Sequence, residues 1–311
     1  MDTALAASAM QAAGIHSDDP SFQRATGFLI EQRHTQNGGW GFSKSNSIHP
    51  DVDDTQAALR ALTPFAQEPH YRTAWRAGVS WLLERQNKDG GWAAFEKNSR
   101  SSLVRLLNLQ NLADTALDPS AADLTGRTIE FLSRNVGMDY SHPTISMGVD
   151  WLVKHQQEDG SWKGRWGISY IYGTWASVTG MRAAGLPSSH PSIIRAMKWL
   201  ESARLSDLGW GESCMSDIED HFVPLTYSTV VHTAWALDTL VAVHEQPTSA
   251  MQQTLSCLLE WMQEESKRTN YPTGAGLPGQ FYIHYHSYRY IWPLVAISHY
   301  AQKYEHTQMR N

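Results

Sequence analysis

Apolar and polar positions follow a helical spacing along most of the chain, and one kind of segment repeats. In it, an apolar helix end is followed by Gln and a Gly-x-Trp turn, and the copies at residues 81–92 and 151–162 have identical spacing. Asp-Gly ends a helix with a left-handed turn and places Trp against that helix, while the Gln amide can bridge to a neighbouring helix terminus. The copy at 199–210 has Arg204 in place of Gln, and the copy at 28–40 has one extra residue. The repeat predicts a series of helical hairpins.

The segments between these copies are rich in Ala, Val, Leu and aromatic residues on more than one face, which predicts buried helices. These predicted helices lie at residues 53–65, 101–113, 170–184, 227–244 and 281–300. An array of about six helix pairs either stacks open or closes into a ring, and the apolar faces favour closure. We therefore predict an all-α fold: one αα toroid over residues 1–311, with residues 1–20 as a loosely attached N-terminal segment.

Composition and charge exclude several classes of protein. The net charge is −6 and no basic cluster is present, which argues against nucleic acid as a partner. Two cysteines provide no disulfide framework and suit a reducing compartment, so we expect a cytoplasmic location. Residues 1–20 lack the pattern of a signal peptide, and the most apolar stretch, 230–243, is too short to span a bilayer. Thirteen Trp, twelve Tyr and eight Phe remain to be explained.

Three carboxylates, Asp51, Asp53 and Asp54, lie in four residues just before a predicted helix. Crowding and burial raise the pKa of a carboxyl group by several units. This effect exceeds the opposing effect of a helix N-terminus, which favours the charged form by roughly 0.3 to 1 kcal/mol. A buried middle aspartate can therefore keep its proton while its neighbours carry the charge. This makes Asp53 a candidate proton donor. The alternatives are helix capping and binding of a hard cation, although the calcium-loop pattern is not met.

The Asp51-Val52-Asp53-Asp54-Thr55 stretch and the repeated Gln-x-x-x-Gly-x-Trp segments together resemble the class II terpene cyclases of the squalene–hopene cyclase type. Residues 164–174 and 276–282 also resemble segments of that family, in matching order. The similarity runs from about residue 21 to residue 300 and covers the family's catalytic toroid. It implies a single-toroid form without the usual second barrel, as in the cyanobacterial meroterpenoid cyclases. It implies no cofactor and no metal.

The resemblance implies a role for each residue of the acid cluster. Asp53 corresponds to the general acid that protonates a terminal alkene or epoxide, with Asp51 and Asp54 as charged neighbours. Asp123 corresponds to a further carboxylate beside the acid. Arg127 stands where the hopene cyclases have a His. Because an Arg accepts no proton, we expect Arg127 to act as a salt-bridged clamp for the cluster.

Aromatic residues have the next implied role, since ring faces stabilise the carbocations of a cyclising polyene by about 0.5 to 2 kcal/mol each. The positions that match the family's substrate cavity are Phe42, Trp166, Tyr172, Phe281, Tyr285 and Tyr288. Phe95 stands where the family has Tyr, and Leu277 where it has Phe. These two changes predict a cation path shorter than, or different from, the path to hopene. The repeat tryptophans are expected to be structural.

We predict a class II terpene cyclase that converts a hydrophobic linear prenylated substrate, a geranylgeranylated aromatic acid, to a polycyclic meroterpenoid. Peripheral membrane contact, a homodimer or the head group itself would then close the cavity in place of the second barrel. Two alternatives stay open. A zinc prenyltransferase β-like subunit would use Glu212, Cys214 and His284, and a non-catalytic prenyl-binding toroid would use the aspartates only as caps. The other histidines are expected mostly at the surface or in the core, and for His221, His232 and His286 a place as polar cavity residues is an equal alternative.

Overall fold

A computed structural model of the chain describes residues 1–34, 36–43, 49–98, 118–276 and 281–305. Within these ranges the chain forms twelve α-helices and one short β-hairpin. The helices are α1 (Asp2–Ala12), α2 (Pro20–Gln32), α3 (Val52–Leu62), α4 (Pro69–Glu84), α5 (Ala122–Phe131), α6 (Pro143–Lys154), α7 (Tyr170–Ala183), α8 (Pro191–Ser202), α9 (Met215–Glu219), α10 (Val230–Val243), α11 (Ser249–Trp261) and α12 (Tyr288–Tyr300). The strands are β1 (Gly274–Gly276) and β2 (Phe281–Ile283). None of the described helices is both long enough and apolar enough to cross a membrane.

The helices form an inner and an outer layer. Helices α1, α3, α5, α7, α10 and α12 contact one another in that order, and α12 returns to α1, so the inner layer is a closed ring. Almost every residue of α7 and α10 is buried, which explains their apolar faces on all sides. Helices α2, α4, α6, α8 and α11 pack outside this ring. The predicted αα toroid is confirmed.

The N-terminal helix corrects one expectation. We expected residues 1–20 to be loosely attached, but α1 is the inner helix that closes the ring between α3 and α12. Its Ala4, Leu5, Ala7 and Ala9 are buried. The sequence conceals this because small side chains give α1 little contrast between an apolar and a polar face.

The repeat segments are held together by the hydrogen bonds that their sequence predicts. Trp92 Nε1 donates to the carbonyl oxygen of Leu82 on the preceding helix, at 2.9 Å. Gln86 Nε2 donates to Gly90 O and, across to the first turn of α6, to Thr144 O, both at 2.8 Å. The copy at 151–162 forms the same three bonds. Each copy therefore links two outer helices through one amide.

The divergent copy at 199–210 reaches the same result with different residues. Arg204 Nη2 donates to Leu208 O at 3.3 Å, to Ala250 O at 3.2 Å and to Thr254 Oγ1 at 3.0 Å. The longer Arg side chain thus bridges to α11 as Gln bridges elsewhere. Leu208, with φ 72°, occupies the left-handed position that Gly90 fills with φ 100° in the copy at 81–92.

Three of the predicted inner helices are confirmed with small differences at their ends, as α3 with its 3₁₀ extension Thr63–Phe65, α7 and α10. The prediction of a helix over 281–300 is wrong for its first part, because Phe281–Ile283 is strand β2 and the helix begins at Tyr288. Strand β2 pairs with β1, and Ala275 N of β1 also donates to Trp166 O at 2.8 Å. Pairing of β2 with β1, which the distant loop at Trp166 holds in turn, overrides the local helical pattern. The helix predicted at 101–113 lies outside the described residues.

Candidate active site

The acidic cluster lies at the first turn of α3. Asp51 is the N-cap, and its Oδ1 accepts a hydrogen bond from Asp54 N at 2.8 Å. The backbone of Asp51 is fixed in turn, because its N–H donates to Trp40 O at 2.9 Å. Asp51 and Asp54 are 5% and 3% exposed, whereas the side chain of Asp53 is 18% exposed. The repeat tryptophan therefore anchors the turn that carries the three carboxylates.

Burial acts against the charge that we expected on the two flanking aspartates, and it does so more strongly at Asp51. Burial raises the pKa of Asp51 well above its usual range, and the neighbouring charge of Asp54 adds to the effect. Burial also raises the pKa of Asp54, although the amino group of Met1, 3.1 Å from Asp54 Oδ1, opposes the shift. At Asp51, burial and the neighbouring carboxylate both disfavour the ionised form, against the expectation of a charged neighbour.

Asp53 contacts α5 and its own helix through one oxygen. Its Oδ1 accepts a hydrogen bond from Gln56 Nε2 at 2.8 Å. Arg127 Nε of α5 lies 3.3 Å from the same oxygen as an ion pair. The structure thus brings the predicted acid and the predicted clamp together. Gln56 was not predicted as a site residue, although its spacing of three from Asp53 on a helix was a visible signal.

Arg127 is enclosed by aromatic rings at the centre of the toroid. Its guanidinium carbon lies 5.3 Å from the ring centroid of Trp175 and 5.0 Å from that of Trp292. The residue is only 4% exposed. A permanently charged group in this position holds its orientation by cation–π contact on two sides. Trp175 and Trp292 were not predicted, because their proximity arises only when α7 and α12 meet α5.

Asp123 lies in the first turn of α5 and binds the backbone of a loop. Its Oδ2 accepts hydrogen bonds from the backbone N–H groups of Arg165 and Trp166, both at 2.9 Å. Burial raises the pKa of Asp123, and the backbone donors act against that shift. In this structure Asp123 therefore positions Trp166. Its hydrogen bonds among the described residues go to backbone groups, not to the carboxyl of Asp53.

A cavity of about 250 Å³ opens beside the acidic cluster. It is lined by all three aspartates of the cluster and by the predicted aromatic residues Phe42, Phe95, Trp166, Tyr172, Tyr285 and Tyr288. Phe281 is not among the lining residues and is 51% exposed in β2. Leu277 lies outside the described residues. The structure therefore gathers six of the eight predicted substrate residues around the acid.

The cavity rings form pairs on its walls. Tyr285 and Tyr288 stack with centroids 4.5 Å apart, and Tyr172 lies 4.6 Å from Trp235. Trp235 also lines the cavity and was not predicted. The sequence feature that could have identified Trp235 is its position in the second turn of the apolar helix α10.

The zinc alternative is not supported by the positions of its three residues. The two carboxylate oxygens of Glu212 accept hydrogen bonds from Tyr170 N and Ile171 N, both at 2.9 Å, and so cap α7. His284 Nε2 lies 3.2 Å from Thr269 O. Among the described residues, no group of three His, Cys, Asp or Glu side chains is placed to hold a metal ion, so Cys214 is not joined to the other two.

Of the two alternatives for His221, His232 and His286, the structure supports surface or core positions, because none of the three lines the cavity. His221 and His286 are exposed. His232 is fully buried behind the cavity wall, with Nε2 3.2 Å from Ile168 O and Nδ1 2.7 Å from Thr229 Oγ1. Burial lowers the pKa of His232 to about 3. It is a neutral support for the loop that contains Trp166.

A family model and similar curated proteins point to the same family. The family model for the squalene-hopene cyclase C-terminal domain matches residues 1–302. Sporulenol synthase of Bacillus subtilis is 45% identical over 316 residues, which cover 98% of this chain and 49% of that protein. Squalene–hopene cyclase of Zymomonas mobilis is 35% identical over 321 residues, covering 96% of this chain and 48% of that protein. The chain spans about half the length of the curated relatives it matches.

A solved structure shares the fold. The type II terpene cyclase MstE from Scytonema superposes with a TM-score of 0.67 at 17% sequence identity, covering 97% of this chain and 88% of that chain. At this identity the match concerns the arrangement of helices alone.

Proposed function

Since the chain belongs to the squalene-hopene cyclase C-terminal domain family, we propose that it is a class II terpene cyclase that starts a carbocation cascade by protonating a linear prenylated substrate. The observation that carries the proposal is the position of Asp53 on the wall of a cavity that is otherwise lined mainly by aromatic and small apolar residues. A carboxylic acid beside an apolar, ring-lined space has the chemistry needed to protonate an alkene and to surround the resulting cation with aromatic faces.

The first step transfers one proton. The O–H bond of the Asp53 carboxyl breaks, the proton adds to the CH carbon of the distal trisubstituted alkene, and a tertiary cation forms at the adjacent carbon, which carries the two methyl groups. The carboxylate left behind has Arg127 Nε 3.3 Å from Oδ1, so its new charge is compensated within the site. Arg127 thereby favours the state after transfer, which is what a strong acid requires.

Later steps depend on the shape of the cavity and its rings. The stacked pair Tyr285–Tyr288 and the pair Tyr172–Trp235 present aromatic faces to a cation moving away from the acid. Each face contributes about 0.5 to 2 kcal/mol of stabilisation. Loss of a proton to a base, or attack by a nucleophile within the substrate, ends the cascade, so the overall reaction is an isomerisation. No residue in this scheme needs a cofactor.

For the substrate we propose a geranylgeranylated aromatic acid, giving a polycyclic meroterpenoid. A variant of MstE, which shares the toroid, is described in complex with geranylgeranyl dihydroxybenzoate as substrate. The half-exposed rings Phe42 and Phe95 at the cavity support entry of an apolar chain from this side, and they support peripheral membrane contact there, with a homodimer as the alternative. We propose a single catalytic toroid as the domain organisation.

The test compares the chain with its Asp53→Asn variant on geranylgeranyl dihydroxybenzoate and on squalene, with product analysis by mass spectrometry. Asp53→Asn preserves shape and removes the acid, and we expect a loss of about 10² to 10⁴ in rate. In D₂O the wild-type product should gain one deuterium at the carbon that receives the initiating proton. Asp19→Asn is the matched control, because Asp19 caps α2 through Ser21 N at 2.8 Å and lies outside the cavity.

Equal cyclisation by wild type and Asp53→Asn would remove Asp53 as the acid. Binding of the prenylated ligand without any product from either protein would support the non-catalytic toroid. Stoichiometric zinc in elemental analysis would support the prenyltransferase alternative.

A further inference from the structure

Gln56 is a buried polar residue in α3 that takes no part in the proposed proton transfer from Asp53 to the alkene. It is 1% exposed, and its Nε2 donates to Asp53 Oδ1 at 2.8 Å. Arg127 Nε lies 3.3 Å from the same oxygen, but its N–H is not directed at any acceptor among the described residues in hydrogen-bond geometry. Gln56 therefore supplies the directional contact to the carboxyl, while Arg127 supplies charge.

The orientation of the Gln56 amide follows from the residue on its other side. Arg60 Nε donates to Gln56 Oε1 at 2.6 Å. Since a guanidinium only donates, the amide oxygen must face Arg60, and the amide N–H must face Asp53. Residues 53, 56 and 60 are separated by three and four positions, so they share one face of α3.

Arg60 is held in place by α5. Its Nη2 donates to Glu130 Oε2 at 3.0 Å and to Arg127 O at 2.7 Å. Burial lowers the pKa of Arg60 to about 10, with Glu130 acting against the shift. Burial alone would raise the pKa of Glu130, but Arg134 and Arg60 bring it down to about 2. Both groups are charged at neutral pH, and Glu130 pairs with Arg60 on one side and with Arg134 on the other. Gln56 itself is neutral, so it passes on the geometry of Arg60 without adding a charge of its own at the acid.

We propose, resting on the acid role of Asp53 proposed above, that Gln56 is a positioning residue that keeps Asp53 Oδ1 as hydrogen-bond acceptor and so places the acidic proton on Oδ2. A carbonyl oxygen accepts from an N–H group better than a hydroxyl oxygen does, so the amide donor selects one of the two orientations of the protonated carboxyl. During the reaction the Oδ2–H bond breaks, its proton moves to the alkene carbon, and its electron pair stays on the carboxylate. The Gln56 N–H bond to Oδ1 is kept, and it strengthens as the carboxyl becomes charged.

The test substitutes Gln56→Met, which has similar volume and no donor. We expect kcat to fall about 10-fold or more, with little change in KM, because one charge-assisted hydrogen bond is lost from the transition state. Activity requires a protonated acid. Removing an N–H donor disfavours the ionised carboxylate, so the descending limb of the pH–rate profile should move up by about one pH unit. A residue with only a packing role would not move this limb.

Gln11→Met is the matched control, because Gln11 Nε2 donates to Ala61 O of the same helix at 2.8 Å without contact to Asp53. The pH–rate profile of Gln11→Met should have the same shape as that of the wild type. Should Gln56→Met fail to fold, Gln56→Glu preserves the shape, and its negative charge should move the limb further upward.

Wild-type kcat and an unmoved limb in a folded Gln56 variant would overturn the positioning role, and so would an equal change in Gln11→Met. Failure of the acid role itself is a separate result, recognised when Asp53→Asn cyclises at the wild-type rate.

Discussion

Replacement of His232 by Gln is expected to change how the stability of the toroid depends on pH. The imidazole is fully buried, and its Nε2 faces the carbonyl oxygen of Ile168, so in the folded protein it is neutral with the hydrogen on Nε2. Burial lowers the pKa of His232 from 6.5 to about 3. The residue supports the loop before α7, so its protonation state affects the cavity wall as well as the core.

The sign follows from proton uptake. Between pH 6.5 and about pH 3, His232 binds a proton in the unfolded chain and not in the folded chain. Its contribution to stability is therefore complete above pH 6.5 and is lost as the pH falls through this window. From pH 7.5 to pH 5.5 the loss amounts to about 1.4 kcal/mol. This figure depends mainly on the pKa of His232 in the unfolded chain, because pH 5.5 lies well above its pKa in the folded protein.

The measurement is urea unfolding followed by tryptophan fluorescence at pH 7.5 and pH 5.5, for the wild type and for His232→Gln. Buried carboxyls with raised pKa values, such as Asp51 and Asp123, act in the opposite sense, so only the difference between the two proteins is diagnostic. The wild type should lose about 1.4 kcal/mol more than the variant over this range. His70→Gln at an exposed position should behave like the wild type. Equal losses in the wild type and His232→Gln would refute the reasoning.

Two further predictions concern the packing of the ring. Gly126→Ala should lower the free energy of unfolding by about 3 kcal/mol or more, because a Cβ on α5 would overlap the backbone oxygen of Ala176 on α7. The control is Gly27→Ala, in open space on α2, which should raise the free energy of unfolding by up to about 1 kcal/mol. If chemical denaturation showed that both substitutions change the free energy of unfolding in the same direction, the close approach of α5 and α7 would be contradicted. Arg204→Met should cost about 1 to 3 kcal/mol through loss of the bridge to α11, whereas Arg204→Gln restores the repeat and should stay within about 1 kcal/mol of the wild type. Equal unfolding midpoints for Arg204→Met and wild type would show that the bridge contributes nothing.

Much of the fold could be read from local chemistry. The Gly-x-Trp turns, the bridging Gln residues and the apolar helices between them depend on contacts within or next to one hairpin, and the structure contains them as predicted. The first part of the helix expected over 281–300 failed because β2 pairs with β1, and β1 is held by a loop far away in sequence. Helix α1 was misplaced for a related reason, since its small residues have meaning only against α3 and α12.

The site divides in the same way. The crowded aspartates and the family resemblance identified Asp53, Arg127 and six cavity aromatics from sequence, and the structure brings them together. Gln56 and Trp235 were missed, because each becomes a site residue only through neighbours on other helices or through the shape of the cavity. The strong rise in the pKa of Asp51 was not expected either, since desolvation is a property of the folded environment.

The sequence by itself thus determined the repeated hairpin segments and the cluster of carboxylates at the start of α3, because both depend on residues a few positions apart. Ring closure, the burial of Asp51 and the hydrogen-bonded line from Asp53 through Gln56 to Arg60 and Glu130 were decided by tertiary structure. Each of these depends on burial and on the distance between separate helices, and a linear pattern of residues contains neither quantity.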